Sequence, residues 1–310
     1  MANRIWTEQG PRRALITGAS GGIGEAFARL LAEEGWQIAI VARREEELHR
    51  VAGVLRATHQ AEVLPIPLDL TEPQAGARLQ ENLSERRFSP DVLINNAGRG
   101  LTGAASELPL EDQLAIIDLN IRAATELALR FLPAMAERGR GGILNVASLA
   151  AFMPGPHMAV YFASKAYLLS FSEALAEEMA AAGLTISAFC PGPVRTGFQH
   201  LSGMERTLLA RLFPAMRPPA AARAAWQGFK EGRVVLTPGL SGTMAAFSLR
   251  FAPRALARKI AAIGLKPRSM RKRRGKDTPQ GDAPREQDET GRSTPTKNGR
   301  TEEEAKQPRP

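Results

Sequence analysis

Seven short apolar runs, separated by longer helical patterns, constrain this chain more than any other feature. The runs are Arg13–Thr17, Gln37–Ala42, Glu62–Leu68, Asp91–Asn95, Gly142–Ala147, Thr185–Cys190 and Arg233–Thr237. They lack clean polar alternation, as strands buried on both faces do. Between them lie patterns such as "GIGEAFARLLAEEG" and "EDQLAIIDLNIRAATELALRFLPAM". Strand–helix alternation implies βαβ units with right-handed crossovers. The expected fold is therefore α/β: one doubly wound parallel sheet of about seven strands with helices on both faces. A chain of 310 residues with 44% hydrophobic content can build one large core. We expect an N-terminal extension over 1–11, the domain over 12–240, a basic amphipathic helical segment over 241–267 and a charged tail over 268–310. The tail is almost free of large apolar residues and is expected to be disordered.

The first run ends in "TGASGGIG", Thr17 to Gly24, and a helical pattern follows at once. Strand, glycine loop and helix form a phosphate cradle. Glycines permit the tight turn, and backbone N–H groups approach a pyrophosphate at the positive helix end. The glycines fall at Gly18, Gly22 and Gly24, a GxxxGxG spacing. An ordinary strand–helix turn is the competing reading. The second run ends "VARREEEL", with no acidic residue at Val41 or Ala42 to take a ribose 2′-hydroxyl. Arg43 follows, and an arginine there suits a 2′-phosphate. This predicts NADP(H) over NAD(H). Arg44 better fits a surface cluster with Glu45–Glu47.

The segment "YFASKAYLLSFSEALAEEM" places Tyr161 and Lys165 four residues apart, on one helical face. Such a pair is commonplace on solvated helices. It is also a chemical device: a nearby cation favours the phenolate and lowers the tyrosine pKa. The phenol can then exchange a proton with a substrate oxygen.

Four features stand in order: "TGASGGIG", "NNAG" (Asn95–Gly98), Ser148 at the end of a strand, and "YFASK" 13 residues later. Together they resemble the short-chain dehydrogenase/reductase family over about residues 12–240, and the resemblance implies its Rossmann-type single domain. It also implies a catalytic tetrad of Asn120, Ser148, Tyr161 and Lys165. Tyr161 would transfer the proton and Lys165 would assist it and hold the nicotinamide ribose. Ser148 would bond the substrate oxygen, and Asn120 would hold a relay water. The implied cofactor contacts are Gly18, Ser20, Gly22, Ile23, Gly24, Arg43, Asp69, Asn96, Ala97, Gly98, Tyr161, Lys165, Pro191, Gly192, Val194 and Thr196. Position 21 is Gly, where many NADP-preferring relatives carry a basic residue. The implied activity is NADP(H)-dependent interconversion of a small-molecule carbonyl and alcohol, in a homodimer or homotetramer. The alternative is a non-catalytic dinucleotide-binding sensor or scaffold, either free or peripheral to a membrane.

Other classes find little support. Cys190 is the sole cysteine, and His49, His59, His157 and His200 are scattered, so no metal site is expected. No run of about 18 apolar residues appears, which predicts a cytoplasmic protein. The net charge of +9 divides into +4 over 268–310 and +5 elsewhere. "RKRR" lacks interleaved aromatics, and no nucleic-acid partner is expected. Phe152, Met153, Phe198, Met204 and Leu208 suggest an apolar substrate pocket, or simply a seal between loops and core. His157 and His200 could contact substrate or lie at the surface. The segment Leu240–Arg274 could lie on an anionic membrane surface, pack on a second subunit, or be a solvated helix broken near Pro253.

Overall fold

A computed structural model describes residues 12–208, 215–239, 244, 248 and 253–266. The expected N-terminal extension and charged tail lie outside the described residues, as does much of 241–267. All seven anticipated strands are present: β1 Arg13–Thr17, β2 Gln37–Ala42, β3 Val63–Pro67, β4 Val92–Asn95, β5 Gly142–Val146, β6 Thr185–Phe189 and β7 Val235–Leu236. They form one parallel sheet in the order β3-β2-β1-β4-β5-β6-β7. Pro65 and Pro67 sit in β3, an edge strand, where a missing N–H leaves no ladder bond unmade on the outer side.

The helices are α1 Gly22–Glu33, α2 Glu45–His59, α3 Ala75–Glu85, α4 Leu110–Ile117, α5 Ala124–Glu137, α6 Ala159–Met179, α7 Gly197–Leu201, α8 Pro218–Lys230 and α9 Arg254–Leu265. Alternate strand residues feed two cores. Ala14, Ile16, Ile38 and Ile40 pack with Phe27, Leu31, Leu48 and Trp226, from α1, α2 and α8. Leu15, Ala39, Val41 and Leu93 pack with Leu79, Leu127, Phe131 and Leu175, from α3, α5 and α6. Both sheet faces are thus covered, which is why the strands read as unbroken apolar runs.

Two features depart from the expected outline. The long pattern after Leu110 is not one α-helix: Asp118–Ala123 forms a wide π-turn between α4 and α5. Such turns insert one residue, and they favour functional sites. The terminal α9 is not wholly solvated. Ala257, Ala261 and Leu265 are buried, while Ile260 and Ile263 are exposed. Pro253 is the residue before its first turn rather than a break within it.

The strand order reverses direction between β1 and β4. The chain winds outward to β3, then returns to place β4 on the other side of β1. A crevice opens at the carboxyl ends of these two strands, and doubly wound sheets bind ligands there.

Candidate active site

The crevice is lined by the glycine loop and "NNAG", which are stitched together. Thr17 Oγ1 accepts hydrogen bonds from the backbone N–H of Asn96 and of Ala97, both at 3.0 Å. Asn96 Nδ2 donates to Thr17 O at 2.9 Å and to Gly18 O at 3.2 Å. Gly18 has φ 67°, and a Cβ there would lie 2.8 Å from Ala97 Cα. A Cβ on Gly24 would collide with the Gly18 carbonyl. Only glycine allows these approaches. Ile23 packs against the core beneath the loop. The loop's outer wall is the 191–196 segment. A Cβ on Gly22 would meet Thr196 Cγ2 at 3.1 Å, and Thr196 in turn caps α7 by accepting from Phe198 N. Val194 bridges Met216 in parallel register, Gly192 lies beside Leu149, and Pro191 O accepts from Leu149 N at 2.9 Å.

These residues fit a dinucleotide. Gly21 precedes α1 and no side chain caps that helix, so its first-turn N–H groups are offered to a ligand rather than to a protein oxygen. The two arginines after β2 diverge. Arg44 Nη2 reaches back over the loop to Ser20 Oγ at 3.1 Å. Arg43 instead approaches Asp69 at 3.5 Å. Partial burial pushes the Asp69 pKa up, but hydrogen bonds from Thr71 and the Arg43 guanidinium outweigh it and hold the carboxyl below its usual range. The surface cluster with Glu45–Glu47 assigned above to Arg44 is therefore not where its side chain lies.

At the other end of the crevice, Ser148, Tyr161, Lys165 and Asn120 come together. Ser148 leaves β5 in an extended conformation and caps the following turn, accepting from Ala150 N at 3.1 Å. Its hydroxyl is close enough to the Tyr161 phenol to favour the ionised form of that group. Lys165 Nζ donates to Val146 O at 2.8 Å and lies 5.9 Å from the centre of the Tyr161 ring. Asn120 sits in the π-turn. Its Oδ1 accepts from Arg99 N at 2.9 Å, and its Nδ2 donates to Arg99 O at 3.0 Å and to Ser164 Oγ at 2.9 Å. A Cβ on Gly98 would lie 3.3 Å from Asn120 Oδ1 and 3.4 Å from Lys165 Nζ, so Gly98 marks where the groups converge.

Burial dominates the electrostatics of the pair. The Tyr161 phenol is pushed up to about 12 by burial, which outweighs the opposing effect of the Ser148 hydroxyl. Lys165 is pushed down to about 8 by burial. The expectation that Lys165 lowers the tyrosine's pKa is not met in the protein alone. Desolvation penalises both charged forms more than the two groups help one another.

Residues 12–206 match the family described as short chain dehydrogenase, well over half of the chain. The chain belongs to the short-chain dehydrogenase/reductase family. It is accordingly an oxidoreductase of CH–OH and carbonyl groups. Ketoacyl reductase HetN of Nostoc sp. is 36% identical over 221 residues, which cover 71% of this chain and 76% of the relative. A short-chain dehydrogenase from Sphingobium yanoikuyae, solved in complex with NADPH, superposes with a TM-score of 0.70. It is 32% identical, covering 79% of this chain and 94% of that one. The bulky-bulky ketone specific alcohol dehydrogenase from Comamonas testosteroni gives a TM-score of 0.68 at 30% identity, covering 80% and 94%.

In this short-chain dehydrogenase, the pocket residues anticipated from sequence divide. Met153, Phe198 and Met204 join Tyr161, Met158, Phe162 and the α9 residues Ala261 and Leu265 in one apolar cluster. Phe152 packs elsewhere, with Ala147 and Leu169, and Leu208 is exposed. His157 lines a pocket beside Tyr161 with Leu101, Leu108 and Ile116, and it holds a left-handed φ of 65°. His200 is exposed and pairs with Glu205 at 3.1 Å. Sequence reading did not single out Ser164 or Arg99, and it set Arg44 aside as part of a surface cluster. Ser164 lies inside "YFASK", and its phase, three residues after Tyr161, is the signal that would have found it. Among the described residues no group of His, Cys, Asp and Glu could hold a metal ion, and no helix is long and apolar enough to cross a membrane.

Proposed function

We propose that the protein is an NADP(H)-dependent reductase or dehydrogenase of apolar ketones, aldehydes or their alcohols. The observation that carries this reading is the buried Tyr161–Lys165 pair on α6, with Lys165 Nζ held by Val146 O and lying 5.9 Å from the centre of the Tyr161 ring. A reduced nicotinamide dinucleotide supplies a hydride when bound. Glycines 18, 22 and 24, with the α1 N-terminus, would hold its pyrophosphate. Asn96, Ala97 and Gly98 would face the adenosine part, and Pro191–Thr196 the nicotinamide end. Asp69 would border the adenine.

The chain's own groups then divide the proton work. Ser148 Oγ donates to the substrate oxygen, where negative charge develops. Tyr161, protonated at neutral pH, gives its proton to that oxygen during reduction and takes it back during oxidation. Lys165 and a positively charged nicotinamide would together offset the burial that now opposes the phenolate. Both N–H donors of the Asn120 amide are engaged, by Arg99 O and Ser164 Oγ, and its Oδ1 accepts from Arg99 N, so its side chain holds the Arg99 backbone beside Tyr161. Preference for NADP(H) is supported by Ser20 and Arg44 at the loop, by Arg43 nearby, and by the lack of a carboxylate at Val41 or Ala42. An apolar substrate is supported by the Phe198–Met204–Met158 surroundings of Tyr161. Self-association is supported by Leu110, Leu114 and Ile117, an exposed stripe along α4.

The test is a panel of ketones and aldehydes with NADPH, followed by absorbance of the reduced cofactor. Oxidation that depends on substrate supports the reading. NADPH binding without turnover of any carbonyl or alcohol would favour the sensor or scaffold alternative.

A further inference from the structure

The C-terminal helix α9 has two unlike sides. Ala257, Ala261 and Leu265 face inward, and the last two join the cluster that surrounds Tyr161. Lys259, Ile263 and Lys266 fall three, four and seven residues apart, Ile260 lies three before Ile263, and all four are exposed on the opposite, solvent side. Ile260 is 60% exposed and Ile263 71%. Arg258 is exposed beside them. The neighbouring α7 contributes Phe198 to the same cluster and shows Leu201 to solvent, 79% exposed. Two elements packed around the site thus each present a large aliphatic side chain outward.

Along the sequence, the charge flanking this helix is one-sided. From Gly232 to Lys276 the sequence contains 12 Lys or Arg and no Asp or Glu. A solvated helix gains nothing from two adjacent exposed isoleucines. A nucleic-acid surface would use the cations but not the isoleucines. The interface of an anionic bilayer uses both: aliphatic side chains enter the acyl boundary while Lys and Arg remain at the headgroups. Two isoleucines alone would bind marginally, as a single acyl chain does, and a polybasic neighbourhood is the usual second signal. We infer that the outward face of α9, centred on Ile260 and Ile263 with Arg258, Lys259 and Lys266, docks on anionic membrane surfaces.

The test uses the full chain and vesicles of phosphatidylcholine with or without phosphatidylglycerol, separated by sedimentation. Binding is expected only with the anionic lipid, falling as salt rises because exposed charges are screened. The double variant Ile260→Asp, Ile263→Asp should lose about ten-fold or more in vesicle affinity, since it removes the apolar half and adds repulsion. Its thermal midpoint and circular dichroism should match the parent, both positions being exposed. Equal sedimentation of parent and double variant would overturn the proposal. So would salt-independent binding to pure phosphatidylcholine. A parent that ignores vesicles, but whose oligomeric mass falls in the double variant, would assign the face to a second copy of the chain instead. Binding to an anionic polynucleotide without vesicle binding would assign the cations to nucleic acid.

Discussion

Lys165 offers a quantitative check on the buried pair. An ammonium that ordinarily titrates at 10.5 is held at about 8 in the folded protein by burial. The unfolded chain therefore keeps a proton that the folded chain has released throughout the window between these values. Stability must rise with pH across that window, because the state that binds fewer protons is favoured as protons become scarce. The full change corresponds to about 3 kcal/mol. Below about pH 8 this contribution is absent, because folding then buries a charged lysine whose hydrogen bond to Val146 O offsets only part of its lost hydration. Tyr161 acts in the opposite sense at higher pH. Its phenol ionises at 10.0 in the unfolded chain but at about 12 when folded. Its share of stability is present below pH 10 and is lost as pH rises through 12, again by about 3 kcal/mol.

The assay is urea unfolding at a series of pH values, read by tryptophan fluorescence. Trp36 and Trp226 are both fully buried and form an edge-to-face pair 5.4 Å apart, so unfolding exposes them together. Lys165→Met keeps the volume of the side chain and removes its titration. Subtracting the variant's stability from the parent's cancels the groups that do not interact with Lys165. The difference should be flat below about pH 7, climb from about 8, and approach about 3 kcal/mol near 10. A difference that stays level from pH 8 to 10 would show that Lys165 is not desolvated, and the burial argument for both groups would fail.

Four further outcomes follow from the same geometry. Tyr161→Phe should abolish turnover while NADPH still binds, measured by quenching of protein fluorescence, because the hydroxyl carries the proton and not the main cofactor contacts. Arg44→Ala should weaken NADPH binding by about 1.5–3 kcal/mol, the range for a hydrogen bond to a charged group, and leave NADH binding nearly unchanged. Arg43→Ala should act in the same direction but less, since its guanidinium lies toward Asp69 rather than Ser20; isothermal titration with both cofactors checks both variants. Ser164→Ala leaves Asn120 Nδ2 with Arg99 O alone, which should destabilise by about 1–2 kcal/mol. The thermal midpoint should then fall by about 2–4 °C for each kcal/mol, and kcat should fall more than KM changes.

The strands were legible because the sheet is covered on both faces. Residues such as Leu15 and Ile16 enter different cores, so no polar position interrupts the run. The convergence of Ser148, Tyr161 and Lys165 at one end of the crevice was legible for another reason. Tyr161 and Lys165 depend on helical phase alone, and Ser148 needs only to end a strand next to them. The π-turn at Asp118–Ala123 was not legible. It is held by a tertiary bond between Asn120 and the Arg99 backbone, 21 residues away, and nothing in the local pattern of "IIDLNIRAA" demands it.

What the sequence hides most is the direction of long side chains. Arg43 and Arg44 are adjacent, equally charged and both follow the end of β2. Composition and neighbours favoured pairing Arg44 with the glutamates after it. Those glutamates open α2, and their side chains run along that helix: Glu45 meets His49 and Glu47 meets Arg50, each one turn on. Arg44, the last residue before the helix, instead projects back across the crevice to Ser20. The same limit explains α9. Its sequence reads as basic and amphipathic, but alanine and isoleucine are both apolar, so the pattern does not say which of them turn inward. Only packing decides that the small residues turn inward, where Ala257 and Ala261 permit close approach, and that the larger isoleucines remain outside. A helix that buries Ala257 and Ala261 with Leu265, yet exposes Ile260 and Ile263, cannot be oriented from hydrophobicity alone, and two large aliphatic side chains turned to solvent call for a partner.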